Sequence, residues 1–220
     1  MILVIDSTNE LLVGILDCEN VLCFKYHAES REHVEKIAVI CDALLRSVSI
    51  KPTDITEVIV SAGPGMYTGL RSGMAFAKTF AFVPHAKVTG VITLDVMAAS
   101  VEQAKTPVLA VTDARRHEVF YALYDENGKL LIPHQVAKME TIAEAIKRVT
   151  DSQRLTIVHN LREEYLVPLT GVFDCKLVEN PLKSSTILPY YYKVSRKYPN
   201  YDAPVYLRNP DVLTMTSLRT

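Results

Sequence analysis

The sequence predicts an α/β protein built from two halves of like topology. Three observations carry this. Short apolar runs rich in Val and Ile alternate with longer segments whose apolar residues recur at helical spacing, so strands and helices are interspersed. An order of strands followed by a helix occurs twice, once from Met1 and again from about Pro107. Each half has an aspartate near the end of its first strand, Asp6 and Asp113. The halves are expected at residues 1–105 and 106–220. The repeat is one of topology, and no residue-level period runs through it.

"ILVID" reads as a buried strand ending at Asp6, followed by a Ser-Thr-Asn turn. "LLVGILD" and "VLCFKYH" complete an antiparallel meander, with Asp17 to Asn20 as the turn. Ser30 is placed to cap the next element. From there Val34, Ile37, Cys41, Leu44 and Val48 form one apolar stripe on a helix of about five turns. Val39, Ile40 and Ala43 widen that stripe beyond what one packing surface needs. "KPTDIT" breaks the helix and "EVIVSA" is the next strand. A glycine-rich turn, "SAGPGMYTGLRSG", leads into a helix from about Gly69 to Phe82, ended by Pro84. "KVTGV" is a strand, and Thr93 caps a further helix with Asp95 in its first turn.

The second half opens with "PVLAVTDA" and "EVFYALYD", followed by a hairpin turn carrying Asn-Gly. "LLIPHQVA" is an edge or broken strand because of Pro133. "METIAEAIKRV" is an amphipathic helix and "RLTIVHN" another strand. From Pro181 the chain is rich in Pro and Tyr and reads as an irregular wrapping tail.

Composition narrows the function. At 220 residues and 49% hydrophobic content, the chain can bury a sizeable core. A formal net charge of −1 gives no global pull towards nucleic acid or membrane. Cys18, Cys23, Cys41 and Cys175 form no CxxC pair, so scattered reduced thiols are expected. "MILVIDSTNE" lacks a basic start and meets Asp6 early, so no secretory signal is predicted. No run approaches transmembrane length. A cytoplasmic protein without membrane association is the expectation.

The glycine turn fits neither common phosphate motif. Leu70 and Arg71 follow Gly69, so the P-loop lysine is missing, and Gly63, Gly65 and Gly69 are spaced one residue too far for a dinucleotide fingerprint. The turn still lies between a strand and a helix N-terminus, where backbone N–H groups favour an anion. Tight turning and close packing account for the glycines equally well. Gly69, Gly73, Ala77 and Ala81 form a ridge of small residues on the following helix, which suits close approach of another helix. Packing on the protein's own sheet is the alternative.

Together, "ILVIDST", "SREHVEKI", "GPGMYTGLRSG", "AKTFAF", "GVITLDVMA" and "TDARRHEVFYALY" resemble the TsaB (YeaZ) family, in matching order and spacing. The resemblance covers Met1 to about Tyr124 and "PVYLR" near the end, and is weak between. Met66 and Tyr67 stand where the family usually has Ser and Phe.

The resemblance implies an actin-like (ASKHA, ribonuclease H-like) fold with two lobes, the second reduced. It implies a non-catalytic subunit in making threonylcarbamoyladenosine on tRNA. Its partners would be a TsaD-type transferase and a TsaE-type ATPase, with tRNA met only through the complex. The expected docking face begins at His33, runs through Ile37, Cys41 and Leu44, and continues over Gly69, Gly73, Ala77 and Ala81. A chain alone is expected to form a homodimer through the same surface. Pro64, Thr68 and Arg71 are expected to order the glycine turn.

No catalytic residue, metal or cofactor of its own is expected, with ATP or ADP acting at the level of the complex. His33 stands alone on its helix, no HxxxH or HExxH pair occurs, and His85 and His134 are isolated. A competing reading is an ASKHA-type ATPase or phosphotransferase acting on its own, with Asp6, Gly63, Gly65 and Asp113 lining a nucleotide cleft. A third is RNA binding by the tail, where Lys193, Arg196, Lys197 and Arg208 interleave with tyrosines.

Overall fold

Strands β1 (Ile2–Asp6), β2 (Leu11–Asp17) and β3 (Asn20–His27) form the expected antiparallel meander. The computed structural model defines residues 1–28, 33–101, 103–179 and 181–208, and all their side chains but those of 33 and 34. The cap expected at Ser30 and the side chain of His33 lie outside the described residues. β1 and nearly all of β2 are buried on both faces, so they read as continuous apolar runs rather than alternating ones. Helix α1 (His33–Ser47) leads to β4 (Glu57–Gly63), parallel to β1. Helix α2 (Tyr67–Phe82) leads to β5 (Lys87–Ile92), parallel to β4. The first sheet therefore runs β3-β2-β1-β4-β5. Helix α3 (Thr93–Ala99) then carries the chain across to a second sheet.

That sheet repeats the plan. β6 (Val108–Asp113), β7 (Glu118–Tyr124) and β8 (Leu130–Lys138) make another meander, and α4 (Met139–Lys147) follows. β9 (Arg154–His159) returns parallel to β6. A single-turn helix α5 (Val167–Thr170) precedes β10 (Asp174–Glu179), parallel to β9. The order β10-β9-β6-β7-β8 is the first sheet's order with each strand exchanged for its counterpart. The second half is reduced where α5, with 4 residues, stands in the place of α2, with 16. Pro133 lies in β8 at the sheet edge, where a missing N–H is tolerated.

The tail differs from its expectation. Two short 3-10 turns at Pro181–Lys183 and Ser185–Ile187 lead into helix α6 (Leu188–Lys197), and only then does the chain become irregular. Pro189 sits in the first turn of α6, where no intrahelical N–H bond is needed, so it starts the helix instead of breaking it.

Three apolar clusters define the layers. The outer face of the first sheet packs on α1 and α2, and the outer face of the second on α4 and α5. Between the sheets, α3 and α6 fill one shared core with Val4, Ile59, Ala110 and Val158.

This layering corrects the expected docking face. Ile37, Cys41 and Leu44 of α1 are buried against the first sheet, and Ala77 and Ala81 of α2 join the same cluster. Gly69 and Gly73 are buried as well, and a side chain at Gly73 would overlap Ser7 and approach Val60. The ridge of small residues brings α2 close to its own sheet, not to a second molecule. What the two helices turn outward is Ala38, Val39 (63% exposed) and Ala43 on α1, and Ala75 and Phe82 (79% exposed) on α2.

Candidate functional site

The glycine turn joins β4 to α2 by lying down on the chain that leaves β1. Gly63 adopts φ +124°, a region that side chains rarely enter, and the Gly63–Pro64 peptide is cis. Gly65 presses on Thr8: a Cβ there would lie 2.5 Å from Thr8 Cβ and 2.6 Å from its carbonyl oxygen. The Met66 N–H donates to that same carbonyl at 2.6 Å. Ser7 donates from its hydroxyl to the Gly69 carbonyl at 2.9 Å. Gly63 and Gly65 are thus explained by close approach of backbone to backbone, and Gly73 by its approach to the Ser7 side chain.

Asp6 sits at the centre of this arrangement and is 3% exposed. Its Oδ1 accepts from the Thr8 N–H at 2.8 Å and the Thr8 hydroxyl at 2.6 Å. Its Oδ2 accepts from the Tyr191 hydroxyl, delivered by α6 from the other end of the chain. Burial raises the Asp6 pKa above the ordinary aspartate value, and the bonds from Thr8 and Tyr191 oppose that rise. Burial and the neighbouring carboxylate push the Tyr191 phenol well above its usual range. Asp113, at the matching place in the second lobe, also caps the turn that follows it. Its Oδ1 accepts from the Arg115 N–H at 2.6 Å, and the Arg115 guanidinium lies 3.1 Å from Oδ2. Asp6 and Asp113 therefore make the same contact, two residues ahead, in the two lobes.

A cavity of about 220 Å³ separates the two turns. Residues 64–67 form one wall, 113–116 another, and the tail residues 205–208 a third. Gly65 and Asp113 face this space, whereas Asp6 and Gly63 lie beneath it and do not line it. Arg71 does not brace the turn's carbonyls as expected. It is exposed, donates to the Tyr67 hydroxyl at 2.6 Å and stacks over that ring. Thr68 lies in the first turn of α2, and its carbonyl accepts from the Ser72 hydroxyl. Thr93 does not cap α3; its hydroxyl pairs with Ser61 instead.

A second polar cluster went unread in the sequence. Asp95 of α3 accepts from the Tyr124 hydroxyl at 2.6 Å and lies 2.7 Å from His134 Nε2. It ties α3 to β7 and β8 and gives His134 a partner. Among the described residues no group of three or more His, Cys, Asp or Glu could hold a metal ion. No helix of the described residues is long and apolar enough to cross a membrane.

Two sheets of one strand order, an acid closing the first strand of each, and a helical layer shared between them define an actin-like, ASKHA-type two-lobe protein. YeaZ from Pseudomonas aeruginosa superposes with a TM-score of 0.74 at 21% identity, covering 94% of this chain and 99% of that one. The activator of 2-hydroxyisocaproyl-CoA dehydratase from Clostridium difficile, with bound ADPNP, has a TM-score of 0.51 at 10% identity, covering 89% and 93%. At such identities the likeness is one of fold. The sequence itself matches the model of the TsaD family, tRNA N6-adenosine threonylcarbamoyltransferase, over residues 27–170. The tRNA threonylcarbamoyladenosine biosynthesis protein TsaB of Bacillus subtilis is 29% identical over 150 residues, 66% of each chain. Its namesake in Escherichia coli is 34% identical over 131 residues, 58% of this chain and 57% of that one. The chain belongs to the TsaD family, and within it the TsaB (YeaZ) proteins are the relatives it resembles.

Proposed function

We propose that this chain is a non-catalytic partner subunit in the biosynthesis of threonylcarbamoyladenosine on tRNA. The single observation that carries the non-catalytic part is the state of Asp6. Three of the roughly four acceptor positions of this strand-end acid are taken by the chain's own Thr8 and Tyr191, and at 3% exposure its carboxylate is not presented to a metal-bound nucleotide or a nucleophile. The names of its relatives carry the pathway.

In this reading the chain docks a TsaD-type transferase and works with a TsaE-type ATPase in the cytoplasm. It meets tRNA only through that complex, and ATP or ADP acts at the complex level. The docking surface is the outward face of α1 and α2, where Val39, Ala43, Ala75 and Phe82 leave apolar surface uncovered. The chain alone closes the same surface as a two-fold homodimer.

The test is co-purification with a TsaD-type transferase, with and without ATP and the ATPase. Wild type is expected to form a heterodimer, and Val39→Arg is expected to fold but lose it. Steady ATP turnover by the pure chain, abolished by Asp6→Asn, would overturn the reading in favour of a stand-alone ATPase.

A further inference from the structure

We infer that the C-terminal segment 188–208 is a built-in occupant of the cleft between the lobes, filling the space a phosphate ligand would need and strapping the two lobes together. The cleft has the parts such a ligand would use: two strand-end acids, a glycine turn and the N-terminus of α2. The tail takes Asp6, the glycine turn and the start of α2, and ends on the turn that follows Asp113.

It begins in the layer between the sheets, where Tyr191 closes off Asp6. Further along α6, Arg196 forks onto the buried carboxylate of Glu57, with Nη1 to Oε1 at 3.0 Å. The chain then runs along the free edge of β5 and over the carboxyl end of β4. The Gly90 N–H donates to the Asn200 side chain at 2.7 Å, and the Tyr201 N–H donates back to the Gly90 carbonyl at 3.1 Å. The Val205 N–H donates to the Ala62 carbonyl at 2.7 Å. Room for this crossing is written into the sequence. A Cβ on Gly63 would lie 2.8 Å from the Val205 carbonyl oxygen, and one on Gly90 would overlap the Tyr201 carbonyl.

Past the strands, the Tyr206 ring lies 5.2 Å from that of Tyr67, covering the first residue of α2. Arg208 then reaches the second lobe. It donates to the Ala114 carbonyl at 2.9 Å and pairs with Glu118. It thereby clasps the turn in which Arg115, Arg116 and His117 all hold positive φ, a run of non-glycine residues that only its neighbours can maintain. The space left beneath the strap is about 220 Å³. Ligand pockets usually measure roughly 300–1,000 Å³.

This inference stands apart from the partner-subunit reading, because it concerns the free chain and needs no transferase. Its test is the double variant Tyr206→Ala, Arg208→Ala, with spin labels carried on non-canonical residues at the exposed positions Lys78 and Lys147. Wild type is expected to show one narrow distance, protected Tyr201 and Val205 amides, and no saturable binding of a fluorescent ATP analogue. In the double variant the distance distribution should broaden, both amides should exchange at least tenfold faster, and saturable analogue binding should appear. An unchanged distance and unchanged exchange overturn the strap. Analogue binding by wild type with both amides still protected overturns the occupancy, as does an opened variant that binds none. If the double variant does not fold, Arg208→Gln alone, altered at the cleft rim, is read in the same way.

Discussion

Replacing Tyr191 by Phe removes one hydroxyl and nothing else from the centre of the molecule. The ring stays, so no cavity opens. What is lost is a hydrogen bond to the Asp6 carboxylate, which is 3% exposed and so shielded from bulk solvent. A bond to a charged acceptor contributes about 1.5–3 kcal/mol, and leaving the acceptor unpaired puts the cost at the upper end of that range. For a chain of this size the midpoint of thermal unfolding should fall by roughly 5–12 °C. The loss should also depend on pH. The folded pKa of Asp6 lies above its unfolded value, so its contribution to stability is complete below the unfolded pKa and is lost as pH rises through the folded one. Tyr191 limits that loss by donating to the ionised form. The penalty of Tyr191→Phe should therefore be larger at the alkaline end of the folded protein's pH range than at its acid end, where Asp6 becomes protonated. Urea unfolding followed by circular dichroism across this range measures it, with Asp6→Asn completing a double-mutant cycle. A penalty under about 0.5 kcal/mol, or one equal at both ends of the range, would refute the account of Asp6.

Burial alone would raise the Glu57 pKa, but Arg196, Thr89 and Lys87 outweigh it and hold the pKa below the ordinary glutamate value. The ion pair therefore stabilises above that value and fails as pH falls through the folded pKa, so Arg196→Ala should flatten the acid limb of a stability–pH curve. The same variant should cost about 2–3 kcal/mol in denaturant unfolding, less than a fully buried pair because the guanidinium is 40% exposed. Ala77→Arg places a charge in the core under α2 and should cost more than about 4 kcal/mol, whereas Val39→Arg on the outer face should leave the thermal midpoint within about 2 °C. Gly63→Ala should lose about 1–3 kcal/mol, read by thermal unfolding, from its positive φ and its approach to Val205.

The strands were legible because buried β-branched runs such as "ILVID" and "EVIV" satisfy a local rule. Their repeated order was legible because Asp6 and Asp113 punctuate it in the same way. The direction of the α2 ridge was not. Gly69, Gly73, Ala77 and Ala81 state that one face approaches something closely, and a helix wheel cannot say whether that is a sheet or another helix. The tail was misread for a local reason: Pro189 and three successive tyrosines look like a break, yet proline is well tolerated at a helix start. The partners of Asp6 and Asp95 were beyond reach for a different reason. Tyr191 is 185 residues from Asp6, and Tyr124 and His134 meet Asp95 only because two sheets close on α3. Nothing in the spacing of such residues announces the meeting.

The position of α6 also sets a clock on the molecule's birth. A ribosome releases β1 well before α6, and the layer between the sheets stays open until α6 arrives. At roughly 5–20 residues per second, the 185 residues from Asp6 to Tyr191 take roughly 10–40 s to emerge. Until then α3 alone cannot close the layer, and the part of the inner side that α6 will cover, including Leu12 and Leu16 of β2, stays open to solvent. The nascent chain thus presents an apolar slot shaped for its own unborn helix, and a chain released before residue 188 would keep that slot open for chaperones or for its neighbours.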